Sequence, residues 1–135
     1  MVSNTAVVAE AGTDAPADAE WVVFRCGGRR FGFPLESVSE IIPPRAFTRL
    51  PGTGTEVCGL VGVRGRVVTV FDLGIVLGFE SAAAFPDHRL LLLALGNRRI
   101  GAAVTDVVSV VSARITGPHA RSDDWLLGSG RVEDG

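Results

Sequence analysis

Lysine and tyrosine are absent from these 135 residues, cysteine and histidine occur twice each, and all 13 cations are arginine. Each scarcity argues against a class of function. A surface that tracks phosphates needs clustered cations interleaved with stacking aromatics. Here the arginines are scattered and aromatics make up 7% of the chain, so no nucleic-acid partner is expected. Cys26 and Cys58 stand singly inside apolar stretches, without CxxC spacing or a neighbouring His. They read as reduced, buried thiols rather than a disulfide or a metal pair. His88 and His119 fall in separate loops 31 positions apart, with no Cys or carboxylate at ligand spacing, so neither a metal nor another cofactor is expected. The longest apolar run, residues 90–95, is far below the roughly 20 residues that span a bilayer, so no membrane insertion is expected.

Charge is uneven. Residues 1–20 carry Glu10, Asp14, Asp18 and Glu20 and no basic side chain, while residues 21–135 hold 13 Arg against 11 acids. The first segment lacks the basic start and apolar stretch of a signal peptide. It reads as a disordered acidic tail, and the protein as cytoplasmic. The remainder, residues 21–135, is 115 residues of one domain's size, in a chain that is 47% hydrophobic and can bury one core.

What the chain does contain is an internal repeat. At an offset of 69 residues, 21–42 lies over 90–111 without a gap. Gly27/Gly96, Arg29/Arg98, Arg30/Arg99, Gly32/Gly101 and Val38/Val107 are identical, and apolar positions face apolar positions. Further on, Arg45 meets Arg114, Gly59 meets Gly128 and Val63 meets Val132. A repeat of this kind predicts two copies of one small β unit in one domain. Partners for residues 67–78 would begin just past Gly135, so the second copy lacks its last strand and helical turn. That deficit predicts an open strand edge, and with it dimerisation, segment exchange or marginal stability. The acidic tail is a poor candidate to fill the gap.

Turn residues set the coarse structure. Gly27-Gly28 between two apolar runs predicts a hairpin, and Gly96-Asn97 repeats it. Pro34 opens a short helical stretch closed by Pro43-Pro44. Residues 47–50 are extended, and 57–63 and 67–71 form a hairpin around Arg64-Gly65-Arg66. Asp72 suits the N-cap of one or two helical turns, with Gly78 at the C-cap. Many short strands with glycine turns and little helix predict an all-β protein of small barrels.

The run Val38-Ser39-Glu40-Ile41-Ile42, then Arg49-Leu50-Pro51, then the stretch from Gly59 through Arg64-Gly65 to Asp72-Leu73 resembles the CheW family of chemotaxis coupling proteins. So does Val104-Thr105-Asp106-Val107-Val108-Ser109-Val110-Val111. The resemblance covers residue 21 to the C-terminus. It implies two five-stranded SH3-like β subdomains sharing a hydrophobic interface, about 21–79 and 88–135, the second incomplete at its C-terminal end. It also implies a non-catalytic adaptor that binds the cytoplasmic tip of chemoreceptors and the regulatory domain of a CheA-type histidine kinase. The same domain occurs within CheA and in CheV. Three departures are visible: Gly62-Val63 where relatives have Asn-Leu, Thr69 where they have proline, and the end at Gly135.

No catalytic constellation competes. The glycines Gly59, Gly62 and Gly65 lie between two strands instead of opening a helix, which the dinucleotide and phosphate-loop readings require. Arg64, at a turn tip, is either a solvated turn residue or a planar donor for a partner's carboxylate or backbone. Glu40 is either a surface charge or a partner contact closing a helical turn beside Val38. The resemblance assigns Val38, Glu40, Gly59 and Arg64 to the receptor-coupling face. Leu50, Val61, Val63, Val68, Val70 and Phe71 read as core. Two other readings stay open: a CheW-like scaffold for pilus motility or gene regulation, and a small-ligand-binding or enzymatic β-barrel.

Overall fold

The computed structural model describes residues 2–10, 18–122 and 125–133, with side chains from Glu20 to Ser112. Ten strands follow in chain order: β1 (Val2–Glu10), β2 (Asp18–Cys26), β3 (Arg29–Pro34), β4 (Val38–Ile42), β5 (Val57–Val63), β6 (Arg66–Asp72), β7 (Arg89–Leu95), β8 (Arg98–Val104), β9 (Asp106–Ser122) and β10 (Trp125–Glu133). One short helix, α1 (Leu73–Val76), follows β6. The strands form a closed barrel, β1–β10–β9–β2–β3, and a five-stranded sheet, β4–β7–β8–β6–β5. The all-β, two-subdomain architecture is therefore present.

The subdomains are not consecutive halves of the chain, as 21–79 and 88–135 would have been. The hairpin β2–β3 of the first repeat joins β9 and β10 of the second, and the hairpin β7–β8 of the second joins β4, β5 and β6 of the first. Sequence similarity identifies the copies but carries no information on which copy's hairpin pairs with which strands. The repeat itself holds to the residue. β4 bulges at Ser39, with Val38 opposite Leu93 and Glu40 opposite Leu92. β9 bulges at Val108, with Val107 opposite Phe24 and Ser109 opposite Val23, the same register shifted by 69.

Three further expectations are corrected. Residues 2–10 of the supposed disordered tail form strand β1, pairing with β10 on one side and β3 on the other. Composition argued for disorder, yet main-chain hydrogen bonds to two neighbours need no particular side chain. The stretch after Pro34 is helical only as a 3₁₀ turn, Leu35–Ser37, and then extends as β4. Val38, Ile41 and Ile42 are β-branched, and pairing with β7 outweighs the helical spacing. His119, expected in a loop, lies on β9.

Burial follows strand alternation. Leu90 and Leu92 enter one core with Ile42, Val61, Val63, Val68, Val70 and Ala103, inside the second sheet. Leu91, Leu93 and Leu95 point to the opposite face, into a core shared with Phe24, Phe31 and Phe33 of the first barrel. β7 is covered on both faces, which is why it reads as an unbroken apolar run. The shared core stacks Phe24 on Phe33, with centroids 5.2 Å apart, and joins the subdomains.

Candidate partner-binding site

β4 and β5 are the two edges of the second sheet and form no ladder with each other. The chain from β4 onward nonetheless follows β5 and clasps it at three successive points. Arg64 Nη2 donates to Glu40 Oε2 at 3.3 Å. Arg45 Nη1 donates to the Gly62 carbonyl at 2.7 Å. Thr48 and Leu60 exchange both main-chain hydrogen bonds, at 2.9 and 2.7 Å. The edges are closed by contacts of side chains and a bridge rather than by a ladder.

Arg64 sits at the first turn position of the β5–β6 hairpin with φ 50°, followed by Gly65 at φ 76°. Among the described residues it alone combines a side chain with positive φ. The left-handed conformation costs a residue with a Cβ roughly 1–2 kcal/mol. Glycine or asparagine would suit this turn better, so the arginine stands there against the preference of its own backbone. Its side chain is 80% exposed, and that of Glu40 is 30% exposed. The pair thus has one sheltered partner and one that still faces outward.

Beneath the pair runs a groove of about 200 Å³, floored by Val63, Val68, Leu92 and Ile100 and rimmed by Glu40, Arg64, Arg66 and Arg99. Arg66 and Arg99 are exposed. Three guanidinium groups against one carboxylate make the rim positive. Such a groove accommodates an apolar ridge flanked by carboxylates, to which arginine donates in a planar, bidentate fashion. Sequence reading did not single out Arg66 and Arg99. They lie on different hairpins, and only the parallel pairing of β6 with β8 makes them neighbours.

The structure brings Glu40 and Arg64 together and separates the other two expected residues from them. Val38 is half-buried, packs against the shared core and faces Leu93 on β7. Gly59 is buried near the opposite end of β5, with φ 139°. A methyl group there would lie 2.5 Å from the Thr48 carbonyl oxygen and 3.2 Å from Phe47 Cβ. Its lack of a side chain lets the clasping segment approach β5.

A second cavity, about 420 Å³, lies between residues 47–58 and α1, and includes Cys58 and Asp72 in its lining. Asp72 is 2% exposed. Its carboxylate caps α1 through Ile75 N at 3.4 Å, and accepts from Ser81 Oγ at 2.6 Å, Ala82 N at 2.9 Å and Ala83 N at 3.3 Å. These donors tie the carboxylate to the chain, in the manner of a structural capping group. Burial pushes the Cys58 thiol up to about 12, with the Asp72 charge adding to it. Burial likewise raises Cys26 to about 11. Neither is a thiolate near neutrality, which a nucleophile would require. His88 Nδ1 donates to the Phe85 carbonyl at 2.7 Å and its ring stacks on Phe47.

A CheW-like domain matches residues 20–135. The chain belongs to the CheW-like domain family. Among relatives, Protein FrzA of Myxococcus xanthus is 31% identical over 87% of this chain and 62% of its own length. Protein PilI of Pseudomonas aeruginosa is 39% identical over 52% of this chain and 39% of its own. The chemotaxis protein CheW of Helicobacter pylori is 24% identical over 85% and 73%. The chain thus spans less than two thirds of PilI and of FrzA. In structure, the scaffolding protein TtCheW of Thermoanaerobacter tengcongensis superposes with a TM-score of 0.68 at 21% identity, over 80% of this chain and 85% of that one. That likeness establishes the shared fold.

Proposed function

We propose that this CheW-like protein is a non-catalytic adaptor that couples chemoreceptors to a CheA-type histidine kinase in chemotaxis. The observation that carries this reading is the Glu40–Arg64 pair over a groove with an arginine rim. A turn that keeps a strained, exposed arginine is suited to meeting a partner rather than to stabilising its own fold. Glu40 supports Arg64 from the side. Val38 and Gly59 act by positioning, Val38 by seating β4 on the shared core and Gly59 by admitting residues 47–48 against β5. The capped Asp72 and the protonated thiols support the absence of chemistry. Among the described residues no helix is long and apolar enough to cross a membrane.

Calorimetric titration with the regulatory domain of a CheA-type kinase from the same genome tests the kinase arm. Binding in the micromolar range is expected of an exchangeable interface. No heat with any such kinase, using protein shown to be folded, overturns the reading. Relatives under the names PilI and FrzA, beside those named CheW, favour one second reading. In it the same adaptor serves a pathway that controls pilus motility or gene regulation, distinguished by which genomic kinase it binds.

A further inference from the structure

The core of the second sheet ends at Val63, Val68 and Leu92, which also floor the groove beneath Glu40 and Arg64. These three keep 7–9% exposure, the largest in that core, so the core reaches the surface here. The half-buried residues that cover it, Phe47, Cys58 and Ala83, stand at its other end, near Gly59 and Asp72. Among the described residues nothing comparable covers the groove end.

Strand alternation puts two arginines at that end. On β6, Val68 and Val70 enter the core, and Arg66 precedes them on the same face. On β8, Ala103 enters the same core, so Gly101 and Arg99 share its face. The parallel register, with Thr69 opposite Ile100, sets Arg99 beside Val68 and Arg66 just beyond it. Both core-facing rows therefore finish in an arginine at the groove's rim. Among the described residues neither guanidinium makes a hydrogen bond or an ion pair. Such side chains lay their aliphatic stems on apolar surface and keep the charged head in water.

The rim's one carboxylate, Glu40, is already taken by Arg64. Arg66 and Arg99 are left with uncompensated charge beside an apolar floor. Like charges around one floor repel each other, and carboxylates brought by a partner reverse that cost. At about 200 Å³ the groove is smaller than the roughly 300–1,000 Å³ of small-molecule sites. Its size suits a side chain presented by a larger partner, and its floor suits an apolar one.

We propose that Arg66 and Arg99 determine which partner this groove accepts. They select a receptor segment that lays one apolar side chain on Val63, Val68 and Leu92 and brings a carboxylate to each arginine. The guanidinium receives that carboxylate through two parallel hydrogen bonds, so shape as well as charge is read. The inference rests on the adaptor reading and adds to it the chemistry that the receptor presents. Arg64, with Glu40 as its partner, forms the groove's edge, while Arg66 and Arg99 read the incoming charge.

The test titrates chemoreceptor tips from the same genome against the parent and a double variant, Arg66→Gln with Arg99→Gln. Both side chains are exposed, so the melting temperature is expected to hold. Affinity is expected to fall about tenfold for each arginine. It should also lose most of its dependence on salt, because screening acts on the charge pairs removed. Arg66→Lys with Arg99→Lys keeps the charge without the planar fork and is expected to recover only part of the affinity. Replacing the Asp and Glu residues of the tip singly by Asn and Gln finds the carboxylates. An exchange that weakens binding to the parent is expected to leave binding to the double variant unchanged. Equal binding of a tip to parent and double variant at every salt concentration overturns this inference and leaves the adaptor reading standing. No binding of any such tip to the folded parent overturns both.

Discussion

Arg64 Nη2 lies 3.3 Å from Glu40 Oε2, so the tip of the β5–β6 hairpin touches the opposite edge strand of its own sheet. The pair spans the seam left open between β4 and β5. It also stands at the mouth of the groove rimmed by Arg66 and Arg99. One interaction therefore touches both the closure of the sheet and the surface proposed to meet a partner, and substitutions can tell the two apart.

Replacing Arg64 should separate binding from folding. An exposed ion pair contributes about 0–1 kcal/mol to stability. Arg64→Gly also relieves the positive φ, so its melting temperature is expected to equal or exceed that of the parent. Binding of a chemoreceptor tip should fall by ~2 kcal/mol or more, as for an interface arginine. Glu40→Lys should also weaken binding with little thermal effect. The exchanged pair Glu40→Arg with Arg64→Glu should restore the contact but not the binding. Thermal melts beside receptor pull-down check this; a large thermal loss in Arg64→Gly would assign the residue to the fold instead.

Gly59→Val should have the opposite profile. Its φ of 139° is closed to a β-branched residue, and the Thr48 carbonyl occupies the side-chain space. A loss of about 3 kcal/mol or more is expected from strain and displacement together. Receptor binding would fail only as the 47–48 segment loosens, which denaturant melts and exchange at the Thr48 and Leu60 amides would show first.

Asp72→Ala would remove the acceptor shared by α1, Ser81, Ala82 and Ala83. Hydrogen bonds to a charged group are worth about 1.5–3 kcal/mol each, and the donors left behind are unsatisfied. Urea unfolding should show one of the largest losses of any single substitution. Asp72→Asn should recover part of it, because the remaining carbonyl oxygen still accepts.

The thiols set an alkaline limit. Both folded-state values, about 11 for Cys26 and about 12 for Cys58, lie above the ordinary 9.0. A raised value means the folded chain holds its protons while the unfolded chain releases them. Stability from this source is complete below pH 9 and declines as pH rises towards 11–12. Replacing both cysteines with alanine should flatten that decline. At neutral pH the native thiols should react with a disulfide reagent only as fast as the protein opens.

The sequence determined the local elements. Glycine pairs fixed the first hairpin, because both Gly27 and Gly28 adopt positive φ that side chains resist. Asp72 and Gly78 bracket α1 through chemistry confined to a few neighbouring residues. The repeat was legible because both copies carry the same alternation, and the structure adds the paired bulges. Arg64 and Glu40 stood out by motif alone, while their contact across 24 positions is a product of the fold. Pairing across the chain was decided only by the tertiary structure. Similar hairpins can join either copy's strands, so the sequence did not reveal that β2–β3 pairs with β9. Residues 2–10 carry no clear apolar pattern, and their pairing with β3 and β10 runs through main-chain groups that every residue type supplies. The arginine rim was hidden for the same reason: Arg66 and Arg99 share a face only because β6 and β8 lie side by side, and adjacency between strands is a property of the folded sheet.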